Sequence, residues 1–327
     1  MATTRASRAL YAVLTVAVLA APAPAICSAA EGSGGASKRA PAASGPAPAP
    51  KPSEPVRARI PGVRGMDVAV PAYVWADDPM LDELTATGPA ASVVVLNPGN
   101  GDAPFDAPWR ARADVLRGGT TANGERTKVL GYVHTDHGKR PPAEVKASVD
   151  NYLRTADGRL HVDGIFFDVV SRDCGPANAT RDLYADYRRY VQEAMRAVDP
   201  AAPDLVVDNP GTAIADCYLE PDHRTADVFV TFEDTYAAYT GSGWLGGNVF
   251  NERTGYRAGA EFDPRGTAFW HLVHDVPDAA AMRTTLRTAF DRGAGYAYAT
   301  STAMPNPWNA GPDWEFRPQT IYAATLG

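Results

Sequence analysis

The sequence predicts an α/β chain folded as one (β/α)8 TIM-like barrel, and three observations carry that expectation. Eight β-branched and aromatic runs alternate with helical patterns over about 240 residues, and strands separated by helices pair in parallel. Several runs stop on a polar side chain, as barrel strands do where their C-terminal ends meet the active site. The turn after the first run reads Trp75-Ala76-Asp77-Asp78, without the glycines that a doubly wound nucleotide-binding sheet needs there.

Ahead of the barrel, Arg5 and Arg8 precede an apolar stretch from Leu10 to Ala21, and small residues fill Ala23 to Ala30. This is the pattern of a cleaved export signal over residues 1–30. The apolar stretch is about 12 residues, short of the ~20 needed to cross a bilayer. A secreted or cell-surface protein with no membrane span in its mature form is therefore expected. Residues 31–58 are almost all Ala, Pro, Gly, Ser and Lys, too poor in apolar surface to offset the entropy of ordering, and predict a disordered linker. Residues 59–327 remain as a single domain with a substantial core.

Within that domain, strands are expected at 67–74, 92–97, 128–134, 162–168, 204–208, 227–233, 268–274 and 295–300. Helices are expected at 79–86, 108–117, 142–154, 180–198 and 278–292. The fourth is the clearest: Leu183, Tyr184, Tyr187, Tyr190, Val191, Ala194, Met195 and Val198 keep helical spacing, and Asp199-Pro200 ends it. Residues 235–264, rich in Gly, Tyr and Trp, break the rhythm and read as an irregular active-site loop followed by a short connection.

The net charge is −7 and the 31 Lys and Arg are scattered, so there is no basic footprint for a nucleic acid. With the leader removed, Cys174 and Cys217 remain, and in an exported protein such a pair predicts a disulfide. The competing reading, a metal pair, lacks a CxxC or a histidine at ligand spacing. No cofactor is expected, and the chain is expected to be a monomer.

Candidate chemistry sits at the strand ends. The run from Val162 to Asp168 reads VDGIFFD and that from Val228 to Glu233 reads VFVTFE; each is too apolar for a surface loop and each stops on an acid. A protonated carboxyl beside an ionised one is what cleavage of a glycosidic bond requires. Asp168 and Glu233 are the expected catalytic pair, whereas strand alternation turns Asp163 and Asp234 to structural roles. Around them, Tyr73, Trp75, Asn97, His134, Asn209, Tyr236 and His271 are expected to bind substrate, since hydroxyls, amides and aromatic faces suit a sugar. His274 and Thr300 also fall at strand ends, and Tyr239 competes with Tyr236 for a place in the core. The loop His134-Thr135-Asp136-His137 admits a metal-ligand reading, but its spacing is weak for that.

These stretches give the chain a family resemblance. VAVPAYVW (68–75), VVLNPGNG (94–101), VLGYVHTDHGKRP (129–141), AEVKASVDNYL (143–153), VDGIFFDVVS (162–171) and VFVTFEDTYAAY (228–239) occur in order over almost the whole domain. As a set, they resemble the spherulin-4-type family, grouped as glycoside hydrolase family 135. The resemblance implies a (β/α)8 barrel and, for the family members with assigned activity, endo-type hydrolysis of α-1,4-linked galactosaminogalactan at N-acetylgalactosamine residues; the enzyme is expected to be metal-independent. It places the family's acids on Asp168 and Glu233. The family commonly carries a second acid directly after the first, where this chain has Val169.

The leading expectation is thus a secreted glycoside hydrolase acting on an amino-sugar polysaccharide, with Asp168 as nucleophile and Glu233 as acid/base. The rival from another class is a non-catalytic carbohydrate-binding or spore-envelope protein on the same barrel, which Val169 favours. A third reading is a metal-dependent polysaccharide deacetylase using His134, Asp136 and His137.

Overall fold

In a computed structural model that describes residues 66–220, 223–241 and 268–326, all eight expected strands form. They are β1 (Asp67–Ala72), β2 (Val93–Leu96), β3 (Lys128–His134), β4 (Gly164–Asp168), β5 (Leu205–Asn209), β6 (Val228–Thr235), β7 (Ala268–His274) and β8 (Tyr296–Ala299). They pair in sequence order as a closed barrel, and β8 returns in parallel to β1. The expected signal, the linker and the part of the irregular loop at 242–264 lie outside the described residues.

The five expected helices are α1 (Pro79–Ala86), α2 (Ala107–Arg117), α3 (Pro142–Leu153), α4 (Ala179–Val198) and α6 (Ala279–Asp291). Their starts are chemically marked. Asp78 accepts from the Met80 N–H at 2.9 Å, and Asp278 accepts from Ala280 and Ala281, so orphan donors of the first turn are satisfied. Helix α4 turns Tyr184, Tyr187, Val191 and Met195 inward, with Tyr187 packed 5.6 Å from the Phe167 ring.

Two helices go beyond the sequence expectation. Helix α5 (Tyr236–Thr240) is a single turn after β6, and α7 (Phe316–Ala323) closes the chain. The buried face of α7 is Phe316, Gln319, Thr320 and Ala323; two of the four are polar, so the apolar period is blurred. Gln319 is buried because its side-chain oxygen accepts from the Ala299 N–H of β8 at 3.1 Å.

Alternation along the strands decides what faces the barrel interior. Tyr132 of β3, Phe166 of β4, Trp270 of β7 and Tyr296 of β8 form a chain of rings with centroids 6.3, 5.6 and 6.5 Å apart. These rings fill the barrel as a packed core, leaving no pore below the mouth. Glycine allows close approach at two places. A Cβ at Gly164 would lie 1.8 Å from the Leu205 carbonyl oxygen, and one at Gly131 would meet the Tyr152 ring at 2.5 Å.

At the opposite pole, Asp163 is fully buried. It accepts from Arg117 and Arg126, at 3.1 and 2.6 Å, and from the Val129 N–H at 3.0 Å. It ties α2 and the β2–β3 connection to the start of β4, the structural role expected of it. Cys174 and Cys217 form the expected disulfide, with Cα atoms 6.2 Å apart, joining the segment after β4 to the turn after β5. Among the described residues no helix is long and apolar enough to cross a membrane.

Candidate active site

Register sets the height of the site. His134, Asp168 and Asn209 are paired across β3, β4 and β5, so three polar side chains reach the mouth at one level. Because Phe166 points into the barrel, Asp168 two residues later does so too.

Glu233 reaches the same place by a different device. Pairing of β6 with β7 is regular to Val230↔Trp270 and then resumes at Phe232↔His271, leaving Thr231 as one extra residue. Trp270 faces inward, so without that bulge Phe232 would face the interior and Glu233 the helices. The extra residue reverses the alternation. Phe232 packs outward on Tyr239, at 4.7 Å between centroids, and Glu233 turns in.

The two carboxylates share one donor. Asn209 Nδ2 donates to Asp168 Oδ1 at 2.7 Å and to Glu233 Oε2 at 2.8 Å. The two acceptor oxygens are therefore no more than about 5.5 Å apart. Each remaining oxygen has its own donor: the Tyr132 hydroxyl donates to Asp168 Oδ2 at 2.6 Å, and the Trp308 indole N–H donates to Glu233 Oε1 at 2.9 Å. Tyr73 completes the wall. Its ring meets that of Tyr132 edge-on at 5.2 Å, and its backbone N–H donates to the Trp308 carbonyl at 2.9 Å. That bond takes Tyr73 out of the β1 ladder, so the strand ends at Ala72 rather than at the expected 74.

Electrostatics divides the pair. Burial pushes the Glu233 carboxyl up, the charge of Asp168 pushes it further, and the Asn209 and Trp308 donors only partly offset them, leaving it at about 7. Asp168 is also raised by burial, but Tyr132, the Val169 backbone, the His134 ring and Asn209 all act to keep it ionised. The groups around Asp168 thus favour its charged form, and that charge in turn favours the proton on Glu233. The phenols of Tyr73 and Tyr132 are pushed well above their usual value, mainly by burial and then by Asp168, so both remain donors at neutral pH.

The other expected site residues divide into those near the pair and those apart from it. His134 stands beside Asp168 at the end of β3, and Asn209 links the two acids. Asn97 directly follows β2, with its amide nitrogen 3.5 Å from Asn100 Oδ1 and its own Oδ1 buried without a partner among the described residues. Trp75 is 65% exposed beyond the end of β1. Tyr236 opens α5 and packs against the core, while Tyr239 is wholly buried.

His271 is a correction to the sequence expectation. It is completely buried, in the middle of β7, with Nδ1 2.8 Å from the Tyr239 hydroxyl. Trp270 takes the inward face, so alternation puts His271 between barrel and helices, where burial lowers its pKa to about 3. Asp136 and His137 occupy an exposed turn, and among the described residues no three His, Cys, Asp or Glu side chains gather to hold a metal.

Two residues of the site escape the sequence reading. Tyr132 lies two positions before His134 on the same strand, so alternation could have found it. Trp308 comes from the irregular segment after β8, and no local pattern marks it.

Comparison with known proteins agrees with this architecture. The family model for spherulation-specific family 4 matches residues 67–317. The chain belongs to that family. No curated protein matches it. Among solved structures, Aspergillus clavatus Sph3 in complex with GalNAc superposes with a TM-score of 0.61 at 23% identity, over 80% of this chain and 98% of that one. That likeness shows the barrel. The endo-β-1,4-mannanase of Thermotoga petrophila (TM-score 0.43, 10% identity, 80% of this chain and 76% of that one) and a GH18 chitinase from Pseudoalteromonas aurantia (0.40, 12%, 80% and 100%) are more distant. At those scores they carry no argument.

Val169, at the position where the sequence resemblance implied a second acid, follows Asp168 directly. Its φ is +53°, unusual for a β-branched residue. Its carbonyl accepts from the Thr135 hydroxyl at 2.9 Å and from the His137 N–H at 2.6 Å, and these bonds hold the turn that ends β4.

Proposed function

We propose that this protein is a retaining glycoside hydrolase acting on an amino-sugar polysaccharide, with N-acetylgalactosamine linkages as its substrate. The observation that carries the reading is the single amide bridging Asp168 and Glu233. One oxygen of each acid lies within about 5.5 Å of the other, which supports the closely spaced carboxyls, ~5–5.5 Å, of enzymes that form a covalent intermediate over the ~6.5–9.5 Å separation of inverting ones. Membership of the spherulation-specific family and the GalNAc complex of Sph3 support the substrate class. The export signal expected from the sequence of residues 1–30 supports action outside the cytoplasm.

In this mechanism an ionised Asp168 oxygen attacks the anomeric carbon while Glu233 gives its proton to the departing glycosidic oxygen. The glycosyl–Asp168 ester then breaks when Glu233, now a base, takes a proton from water that attacks the same carbon. Each Asp168 oxygen accepts one hydrogen bond and keeps a lone pair for the sugar. Tyr132 and Asn209 hold the nucleophile in orientation, and Trp308 fixes the acid. Tyr73, His134 and Asn97 face the sugar from the strand ends beside the pair.

The test is reducing-end release from an α-1,4-linked N-acetylgalactosamine polymer. Wild-type protein is expected to release ends, and Asp168→Asn and Glu233→Gln to lower kcat by about 10²–10⁴-fold with the fold unchanged. Binding without release by the wild type would instead favour the carbohydrate-binding reading, with Val169 as its structural basis.

A further inference from the structure

Beside the mouth, the β1–α1 turn and the outer face of α2 enclose a groove of about 580 Å³. Trp75, Asp77, Asp106, Pro108, Arg112 and Val115 are among its lining residues. It lies outside the constellation around Asp168 and Glu233, but close to it: Trp75 follows Tyr73 by two residues, so their Cα atoms are at most ~7 Å apart.

Two features give the groove a chemistry. Trp75 and Val115 are 65% and 54% exposed, and they are two of the five large hydrophobic side chains left exposed among the described residues. Their convergence on one groove is an apolar platform that nothing among the described residues covers. The second feature is uncompensated negative charge. Asp77 is exposed and has no hydrogen-bond or ion-pair partner among the described residues. Asp106, also exposed, makes only a long 3.5 Å bond to the Trp109 N–H. The one cation of the lining, Arg112, is already engaged by Asp82 at 2.6 Å and by the Ala76 carbonyl at 2.9 Å. A polyanion is disfavoured there. An aromatic face beside free carboxylates suits a ring with an apolar face and a positive substituent.

We infer that this groove is an outlying subsite for a hexosamine residue carrying a free amine, in which Trp75 stacks the sugar ring and Asp77 and Asp106 receive the ammonium group. The inference rests on the polysaccharide reading of the main site and deepens it: the preferred polymer would be partly deacetylated, with an N-acetylated unit at the Asp168–Glu233 pair and a cationic unit one or a few residues away. The carboxylates are surface groups, so the attraction is modest and screened by salt.

The test uses the full chain carrying Asp168→Asn, so that bound sugar is not turned over. Affinities are measured by calorimetry for an α-1,4-linked galactosamine hexasaccharide and for its fully N-acetylated form, at low and high salt. In this background Trp75→Ala is expected to weaken binding of the galactosamine form about tenfold. The double variant Asp77→Asn/Asp106→Asn is expected to weaken that form about fivefold and to flatten its salt dependence, while the N-acetylated form changes less than about twofold. Equal losses for the two forms in the double variant would overturn the assignment. So would unchanged affinity for the galactosamine form, or tighter binding of a lysine-rich peptide than of the sugar in competition. Because catalysis is not read, these outcomes stand apart from success or failure of hydrolysis by the wild type.

Discussion

At the residue scale, the site is a matter of which donors meet which carboxylate. Trp308 and Tyr132 each donate to one acid, so each favours the ionised form of its partner, and removing either should raise that partner's pKa. With Glu233 at about 7, kcat/KM is expected to fall as pH rises through 7, because the proton needed by the leaving group is lost. Trp308→Phe should move this basic limb to higher pH, and Tyr132→Phe should move the acidic limb, set by Asp168, upward. Variants that damaged packing alone would lower the plateau and leave both limbs in place, so pH–rate profiles of kcat/KM distinguish the two. Asp168, His134 and Asn209 were legible in the sequence because each ends an apolar run. Trp308 was not, since its contact with Glu233 spans 75 residues and arises only when the barrel closes. His271 was misread because an imidazole near a strand end looks the same in sequence whichever face it occupies; Trp270, the bulkier neighbour, takes the interior.

At the element scale, two irregularities lie at the two carboxylates. The bulge at Thr231 turns Glu233 inward, and no sequence rule reveals it: VFVTFE reads as an unbroken strand, and counting along it from Val230 would put Glu233 outside. The left-handed turn at Val169 ends β4 just after Asp168. A β-branched residue there carries a conformational cost of roughly 1–2 kcal/mol, which the bonds from Thr135 and His137 hold in place. Val169→Asn, which tolerates this conformation, is expected to stabilise the protein by about 1 kcal/mol and raise Tm by about 2–4 °C in a thermal melt. An unchanged or lower Tm would show that the valine side chain contributes packing of equal worth. The five helices read from sequence had strong apolar periods or flanking signals such as Asp78, Asp278 and Asp199-Pro200. Helix α7 had neither, because half of its buried face is polar.

At the scale of the whole molecule, the barrel was legible because alternation of element types over some 240 residues leaves few ways to bury both faces of a parallel sheet. Closure itself brings β8 beside β1, and with it the Trp308 segment to the mouth. The Cys174–Cys217 disulfide links two loops on that same face, across 43 residues of sequence. Its removal by Cys174→Ser/Cys217→Ser is expected to cost about 2–4 kcal/mol through greater freedom of the unfolded chain, seen as a lower midpoint in urea. A midpoint unchanged from wild type would assign stability at the mouth to the surrounding hydrogen bonds instead, such as that from the Tyr218 hydroxyl to the Ser171 carbonyl at 2.8 Å.

The central claim is that Asp168 and Glu233 act together on one glycosidic bond with retention. It is tested most directly by proton NMR of the sugar first released from an α-1,4-linked N-acetylgalactosamine oligomer, recorded before mutarotation. The account predicts the α-anomer at early times, because two displacements at the anomeric carbon restore its configuration. Initial release of the β-anomer would contradict it, since a single displacement by water inverts the anomeric carbon.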